Sequence, residues 1–201
     1  MNNLIDLEKK INSELTTKIN DSKIDHNQLY LTIDPEDLLD VTFFIKTNKD
    51  FKFRQLIDIT AVDYPENTKR FKMVYLFLSH EFNHRILMSF FINENEVIPS
   101  LTKNFPAANW MERETFDMYG VNFKDHPDLR RILTDYGFEG HPLRKDFPLT
   151  GHTEVRYSEE QKKVISESVK LEQNYRNFDY ESPWEGTKYI KEEIDNNDKK
   201  N

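Results

Sequence analysis

Three strand-like runs in the middle of the chain constrain its fold more than any other feature. They occupy residues 54–62, 71–79 and 85–92 and are rich in Phe, Ile, Val and Tyr. Turn-forming segments at residues 65–67 and 81–83 separate them. The last two runs can therefore pair as a hairpin with a short loop, and the three together predict a β-sheet.

Amphipathic segments flank these runs. At the N-terminus, apolar residues recur every three or four positions and predict a helix that extends through Ile19. Residues 29–33 alternate like a short strand, and Asp34-Pro35 predicts the N-cap and first position of a second helix. A third helix is expected at residues 107–119. This order predicts an α+β fold, a two-layer domain in which helices cover one face of a mixed β-sheet.

The placement of glycine divides the chain, because all five glycines follow residue 119 and regular periodicity fades there. We predict an α+β domain at residues 1–120, an extended interaction arm at residues 121–190, and a disordered charged tail at residues 191–201. Within the arm, a short helix is expected at residues 158–169.

Composition excludes several classes of function. A net charge of −8 over 201 residues argues against binding to nucleic acid or to an anionic membrane. The absence of cysteine removes disulfides, thiol nucleophiles and ordinary iron–sulfur sites. No apolar run approaches the roughly 20 residues of a membrane-spanning helix. The N-terminus resembles neither a secretory signal nor a transit peptide, so we expect a soluble chain that stays where it is made.

The run from residue 106 to residue 157 mixes charges of both signs with aromatics, prolines and glycines. Charged groups beside aromatic rings are costly to desolvate unless each finds a partner. This composition predicts recognition of another protein rather than catalysis.

The helix at residues 107–119 carries the first candidate residues. Glu112 and Glu114 point about 160° apart on a helix, so they do not form one acid–base pair or ligate one metal. Arg113 and Asp117 are four residues apart and are expected to pair along the helix. The apolar stripe is predicted at Ala107, Met111, Thr115, Met118 and Tyr119.

Histidines and basic pairs supply the remaining candidates. His126 and His141 each precede proline and are expected to donate hydrogen bonds that fix the arm. His80 and His84 straddle the hairpin turn and are expected to face solvent, so neither a metal site nor a catalytic triad is predicted.

Acidic residues accompany both basic pairs, and no glycine-rich loop opens a helix. Ion pairing across a protein interface is therefore favoured over phosphate binding. The basic pairs are Arg130-Arg131 and Arg144-Lys145, and their acidic neighbours are Asp128, Asp135 and Asp146. Arg144, Lys145 and Asp146 are expected to be desolvated when a partner docks and to pair with groups of the partner or with neighbouring groups.

Two long motifs in this region resemble the family of 30-kDa-type (C-type) subunits of the proton-pumping NADH:quinone oxidoreductase, respiratory complex I. Residues 56–64 and 71–79 also resemble the family. The motif residues are Glu112, Arg113, Glu114, Asp117, His126, Arg130, Arg131, His141, Pro142, Arg144, Lys145 and Asp146.

The resemblance implies a structural subunit in the peripheral, quinone-reducing arm of that enzyme. Its partners would be the 49-kDa-type and 20-kDa-type subunits, and FMN and iron–sulfur clusters would reside in partner subunits. The complex passes electrons from NADH to quinone and translocates protons, but no cofactor, metal or catalytic residue is expected in this chain. It would reach the membrane only through the complex, at the cytoplasmic face of a bacterial inner membrane or the matrix side if organelle-encoded.

Two alternatives remain open at this point. One is the equivalent scaffold module of a membrane-bound nickel–iron hydrogenase. The other is a free-standing hydrolase that uses Glu112 or Asp117 with His126.

Overall fold

The computed structural model describes residues 4–170, which form three α-helices and nine strands. The helices are α1 (Leu4–Glu14), α2 (Leu38–Thr47) and α3 (Ala108–Tyr119), and a 3₁₀ turn at Pro35–Asp37 precedes α2. The first five strands are β1 (Ile19–Asp25), β2 (Gln28–Ile33), β3 (Gln55–Asp63), β4 (Phe71–Ser79) and β5 (His84–Ile92). The last four are β6 (Val97–Pro99), β7 (Asn122–Lys124), β8 (Thr153–Ser158) and β9 (Lys163–Ser168).

Five strands form one mixed sheet in the order β1-β2-β5-β4-β3. β2 and β5 are parallel, and the other neighbours are antiparallel. The predicted hairpin between the last two central runs is confirmed, since β4 pairs with β5 from Phe71 opposite Ile92 to Ser79 opposite His84.

One face of the sheet is buried beneath the helices. Every second side chain of β4 is fully buried, while those between are only half-buried. All three helices contribute side chains to the same core, and each large apolar side chain buried there contributes about 1.5–3 kcal/mol. The predicted two-layer α+β architecture is confirmed. Core residues from these elements include Leu7, Val41, Met73, Tyr75, Phe77 and Ala108.

The N-terminal helix is shorter than predicted. α1 ends at Glu14, and Ile19 begins the edge strand β1. β1 joins β2 through a two-residue turn at His26 and Asn27, whose φ angles of 46° and 58° are both positive, as in the favoured hairpin turns. The expectation was wrong because β1 is mostly polar and is held by backbone pairing with β2.

Asp34 does not cap the second helix as expected. Its backbone is extended, but its side chain makes no capping hydrogen bond. Pro35 starts the 3₁₀ turn, and α2 begins only at Leu38.

The described residues divide into two compact units, the first ending at Gly151 and the second beginning at His152. The first unit extends beyond the boundary that the sequence predicted at residue 120. β7 pairs with β6 immediately after α3, and later residues bond to the last turn of α3. The predicted tail at residues 191–201 lies outside the described residues.

In the second unit, the predicted helix at residues 158–169 is wrong. β8 and β9 form an antiparallel hairpin in which Ser158 lies opposite Lys163. Lys162, in the turn, has a φ of 49°. Alternation of Val155, Tyr157 and Val164 with charged residues explains the strands, since this two-residue period favours β-structure over a helix.

Gly120 ends α3 in the left-handed conformation, with a φ of 79° and its N–H bonded to the Phe116 carbonyl at 2.8 Å. A Cβ atom at this position would lie 2.5 Å from Arg144 Nη2 and 2.6 Å from His141 Nε2. Gly120 therefore provides both a backbone conformation and space for two side chains.

We expect Gly120→Ala to destabilise the protein more than Gly137→Ala. Gly137 has a nearly identical φ of 80°, but a Cβ there meets nothing within 4 Å. Both variants carry the left-handed strain of about 1–2 kcal/mol, and only the first displaces Arg144 and His141. Urea unfolding of both variants measures the difference. Equal losses would show that the close approach contributes nothing.

Candidate functional site

The C-terminal end of α3 is capped by a distant segment. The last carbonyl oxygens of a helix have no partner within the helix, and here residues 141–144 supply the donors. His141 Nδ1 donates to the Asp117 carbonyl at 2.9 Å, Leu143 N to that of Met118 at 3.1 Å, and Arg144 Nε to that of Tyr119 at 2.6 Å. The arginine also places a positive charge at the negative end of the helix dipole.

The carboxylate of Asp117 binds a second stretch of the chain after α3, residues 131–134, which belongs with residues 141–144 to the segment that covers the end of this helix. Its Oδ2 accepts the backbone N–H groups of Ile132, Leu133 and Thr134 at 3.0, 2.8 and 2.9 Å. Its Oδ1 accepts Arg131 Nη1 at 2.8 Å and the Thr134 hydroxyl at 2.7 Å. One buried side chain thus fixes the backbone of three consecutive residues.

These donors determine the ionisation of Asp117. Burial alone would raise its pKa, but the hydrogen bonds from Thr134, Leu133 and Arg131 outweigh burial and hold the pKa well below its usual range. Asp117 is therefore a buried, fully ionised carboxylate at neutral pH.

Asp63 is a second buried carboxylate, at the end of β3. It accepts Arg70 Nε at 2.7 Å and Nη2 at 2.9 Å, and it accepts the backbone N–H of Lys145 at 2.7 Å. The Arg70 guanidinium lowers the pKa of Asp63. Burial acts in the opposite direction, and the hydrogen bond from the Lys145 N–H lowers the pKa further. Asp63 therefore fastens the segment to the edge of the sheet.

Two further ion pairs near Asp63 also hold the segment. Arg70 Nη2 lies 2.9 Å from Asp146, and Arg144 Nη1 lies 2.6 Å from Glu94. Arg144 also lies over the ring of Phe71, 5.2 Å from its centroid. The sequence predicted that Arg144 and Asp146 pair with groups of a partner or with neighbouring groups, and in the structure both pair with groups of the same chain.

Glu112 is a buried acid with an incomplete set of partners. Its side chain is fully buried, its Oε1 accepts the Leu101 N–H at 2.7 Å, and its Oε2 has no hydrogen-bond partner. Burial raises the pKa of Glu112 to about 7, against the opposing influence of Ser100 and the Leu101 N–H. The nearby Tyr75 hydroxyl is also buried without a partner, and its pKa is raised by burial and by Glu112.

The geometry of Glu112 and His126 argues against the hydrolase alternative. His126 Nε2 lies 3.9 Å from Glu112 Oε2, so the two side chains do converge, but both are fully buried. A substrate cannot reach them. Asp117, the other candidate carboxylate, already accepts five hydrogen bonds.

Two histidines fix the segment, as predicted. His126 Nε2 donates to the Asn109 carbonyl at 3.0 Å, and its Nδ1 accepts the Asp128 N–H at 3.1 Å. His141 caps α3, and burial lowers its pKa, so its ring is neutral at pH 7. By contrast, His84 is 8% exposed, and the expectation that it faces solvent was wrong, because its position begins the buried face of β5.

The remaining predicted residues differ in their surroundings. Arg113 does not pair with Asp117 as expected. It donates to the carbonyls of Arg130 and Arg131 at 3.0 and 3.2 Å. Glu114 is exposed, and Arg130 forms an exposed pair with Asp128 at 3.0 Å. Pro142 is half-buried, and the exposed Lys145 contributes its backbone N–H to Asp63.

The buried face of α3 agrees only in part with the predicted apolar stripe. Thr115 and Met118 are buried as predicted. Met111 and Tyr119 are only half-buried, whereas Glu112 and Asp117 are fully buried. The sequence predicted structural or interfacial ion pairs for these acids, and Asp117 does form an ion pair within the chain, with Arg131.

Three site residues were missed altogether, namely Asp63, Arg70 and Glu94. Asp63 had a recognisable signal. In β3, Ile59, Ala61 and Asp63 occupy alternate, inward positions, and a charge in that phase of a strand indicates a buried ion pair.

The described residues show neither a metal centre nor a membrane span. Across residues 4–170, no three His, Asp or Glu side chains converge in a way that could hold a metal ion. Within that range, no helix is both long enough and apolar enough to cross a membrane.

Comparison with known proteins defines the class to which this arrangement belongs. Residues 31–153 match the family described as respiratory-chain NADH dehydrogenase, 30 Kd subunit. The C-type subunit of the NADH-quinone oxidoreductase of Dinoroseobacter shibae is 55% identical over 84% of this chain and 79% of its own length. The protein of the same name from Mesorhizobium japonicum is 49% identical over 93% of each chain.

The fold also occurs in a solved structure of an archaeal respiratory membrane complex, the membrane-bound sulfane sulfur reductase. The TM-score is 0.62 at 23% identity, covering 72% of this chain and 85% of the other.

The fold and the matched segment define a subunit of a respiratory NADH dehydrogenase. The chain belongs to the family of its 30-kDa subunits. This confirms the resemblance and the predicted role as a subunit of NADH-quinone oxidoreductase, and it favours that enzyme over the hydrogenase alternative.

We expect Asp117→Asn to destabilise the isolated chain by roughly 3–5 kcal/mol. The variant removes the counter-charge of the partly buried Arg131. It also replaces a carboxylate that accepts several hydrogen bonds. Asp128→Asn is the matched control, since its pair with Arg130 is exposed and contributes about 0–1 kcal/mol. Urea unfolding measures both, and similar losses would contradict the central role of Asp117.

Glu112 should make stability depend on pH. A folded-state pKa of about 7, above the ordinary 4.5, means that the folded protein holds this proton more tightly than the unfolded chain. The free energy of unfolding should therefore fall by about 3 kcal/mol as pH rises from 4.5 through 7. Glu112→Gln, which is neutral at every pH, should remove this fall. Unfolding at about pH 5.5 and pH 8 tests it, and an unchanged pH dependence in the variant would refute it.

Proposed function

We propose that the chain is a non-redox subunit of the peripheral, quinone-reducing part of NADH-quinone oxidoreductase, bound to the 49-kDa-type and 20-kDa-type subunits. The family match over residues 31–153 carries this proposal. Flavin and iron–sulfur clusters would lie in the partner subunits, since this chain has no cysteine to hold a cluster. The complex would present it on the cytoplasmic side of the membrane, or the matrix side in an organelle.

A docking surface on the first unit supports a structural role. Large apolar side chains are exposed between residues 129 and 149, a segment whose backbone is fixed by Asp117 and Asp63. A rigid segment loses little conformational entropy when it binds, which favours association. The exposed residues are Leu133 (60%), Tyr136 (108%), Leu143 (49%) and Leu149 (84%).

Docking does not require new counter-charges for the ion-paired residues of this region. Arg131, Arg144 and Asp146 already have partners in the chain. A neighbouring subunit therefore meets preformed ion pairs and exposed apolar side chains. In this arrangement, the charged residues shape the surface, and the apolar residues supply most of the binding energy.

We expect Leu133→Lys to leave the free subunit folded and to reduce its assembly into the enzyme. Leu133 is exposed, so the stability of the free chain should change by less than about 0.5 kcal/mol. Leu39→Lys is the matched control, because Leu39 is an exposed leucine of α2 outside the segment. Thermal melting of the free subunit and native-gel assembly in membranes measure the two effects. Normal assembly of Leu133→Lys would contradict the proposed surface.

The partners and the absence of cofactors have separate tests. Cross-linking within the purified enzyme should join residues 129–149 to the 49-kDa-type or 20-kDa-type subunit. The isolated chain should be colourless and should retain no stoichiometric iron, zinc or flavin after dialysis. A visible absorption band or a metal retained at one per chain would refute the non-redox assignment.

A further inference from the structure

A cluster of buried polar groups lies between α3 and the sheet. Glu112 on α3 and Tyr75 on β4 are both fully buried. Within residues 4–170, neither Glu112 Oε2 nor the Tyr75 hydroxyl has a hydrogen-bond partner. A polar atom that is buried in this way gives up its hydrogen bonds to water and gains none in return, so such atoms are rare in folded proteins.

The two side chains lie close together because of how α3 packs on the sheet. Tyr75 is directly opposite Ile59 in the ladder between β3 and β4. The Thr115 hydroxyl donates to the Ile59 carbonyl at 3.1 Å, which places this part of α3 over the same two strands. Glu112 precedes Thr115 by three residues and therefore lies on the same side of the helix. Burial raises the pKa of Tyr75, and the charge of Glu112 raises it further, as expected for neighbouring groups.

His126 forms the third side of the cluster. Its ring is fully buried, and its Nε2 lies 3.9 Å from Glu112 Oε2, beyond the range of a hydrogen bond. Nε2 donates to the Asn109 carbonyl and Nδ1 accepts the Asp128 N–H, so these two bonds fix the tautomer of the ring. Nε2 therefore carries a hydrogen and cannot accept one from Glu112.

The hydrogen bonds of Glu112 determine where its proton lies when the acid is neutral. Oε1 accepts the Leu101 N–H at 2.7 Å, so Oε1 is the carbonyl oxygen of the neutral acid. The proton then lies on Oε2, which becomes a donor and requires an acceptor. When the acid is ionised, Oε2 is an acceptor and requires a donor. The group beside Oε2 must therefore suit both states.

Water meets this requirement because one molecule both donates and accepts hydrogen bonds. Internal waters make about three hydrogen bonds, to buried polar groups that otherwise lack partners. Glu112 Oε2, the Tyr75 hydroxyl and the Nε2–H of His126 would supply them here. A water can also bridge polar atoms that lie just beyond hydrogen-bond distance, as Glu112 and His126 do. A hard metal ion fits poorly, since it takes about six or more oxygen ligands.

We propose that one water molecule is bound between Glu112 Oε2, the Tyr75 hydroxyl and His126, where it connects α3, β4 and the turn after β7. The three residues all belong to the first unit. The site is therefore a property of the free chain and does not depend on the proposed function. It adds a bound ligand to the core, separate from the docking surface at residues 129–149.

The site can be tested by counting internal waters in the free, full-length subunit. Oxygen-17 magnetic relaxation dispersion counts the water molecules that stay bound for longer than the protein takes to tumble, and a high-resolution crystal structure locates them. Glu112→Met replaces the acid by an apolar side chain of similar length. Glu114→Met is the matched control, because it makes the same change at an exposed glutamate of α3.

We expect Glu112→Met to hold one long-lived water fewer than the wild type, because apolar cavities stay dry. Glu114→Met should hold the same number as the wild type. In wild-type crystals, a density peak should lie about 2.5–3.0 Å from both Glu112 Oε2 and the Tyr75 hydroxyl, and Glu112→Met should lack it. If Glu112→Met does not fold, Tyr75→Phe should lower the count, while Tyr136→Phe, at an exposed tyrosine, should not.

Three outcomes would overturn the proposal. Equal counts in all variants, with no density at the site, would show that Glu112 and Tyr75 bond to each other without water. A peak that scatters anomalously after sodium and potassium are replaced by rubidium would show that a cation occupies the site. An equal loss of water in Glu114→Met would show that the loss does not come from this cluster.

Discussion

The structure of the first unit depends on the end of one helix. The last turn of α3 offers a buried carboxylate and three unsatisfied carbonyl oxygens, and the segment that follows supplies a donor to each of them. Asp117 alone fixes three consecutive peptide groups and one guanidinium. Such charge-assisted bonds are about twice as strong as neutral ones. They give an irregular segment a defined conformation without regular secondary structure.

A second carboxylate, that of Asp63, attaches the same segment to the sheet. Asp63 binds both Arg70 and the backbone of Lys145, so the segment is attached to β3 as well as to α3. Between these two anchors the chain presents leucine and tyrosine side chains to solvent. The family motif therefore encodes a scaffold, in which charge fixes the backbone and apolar residues remain available for neighbouring subunits.

The sequence predicted those parts of the protein in which local pattern determines structure. β4, β5 and α3 follow from periodicity, and the backbone hydrogen bonds of His126 and His141 follow from the prolines after them. The polar strand β1 was missed because its partner, rather than its composition, makes it a strand. The choice of counter-ion was also missed, since Arg131 reaches Asp117 through the tertiary fold while the helical neighbour Arg113 binds carbonyl groups.

The position of these contacts along the chain also sets an order of events during synthesis. All five strands of the main sheet have been made by residue 92, but the Lys145 donor to Asp63 follows 82 residues after its acceptor. The caps of α3 come from residues 141–144. A nascent chain that ends before them contains every strand of the main sheet but lacks the donors that cap α3. The surface proposed for neighbouring subunits can therefore become ordered only after the residues of the main sheet have been made, so an ordered docking surface is not exposed before the sheet is complete in sequence.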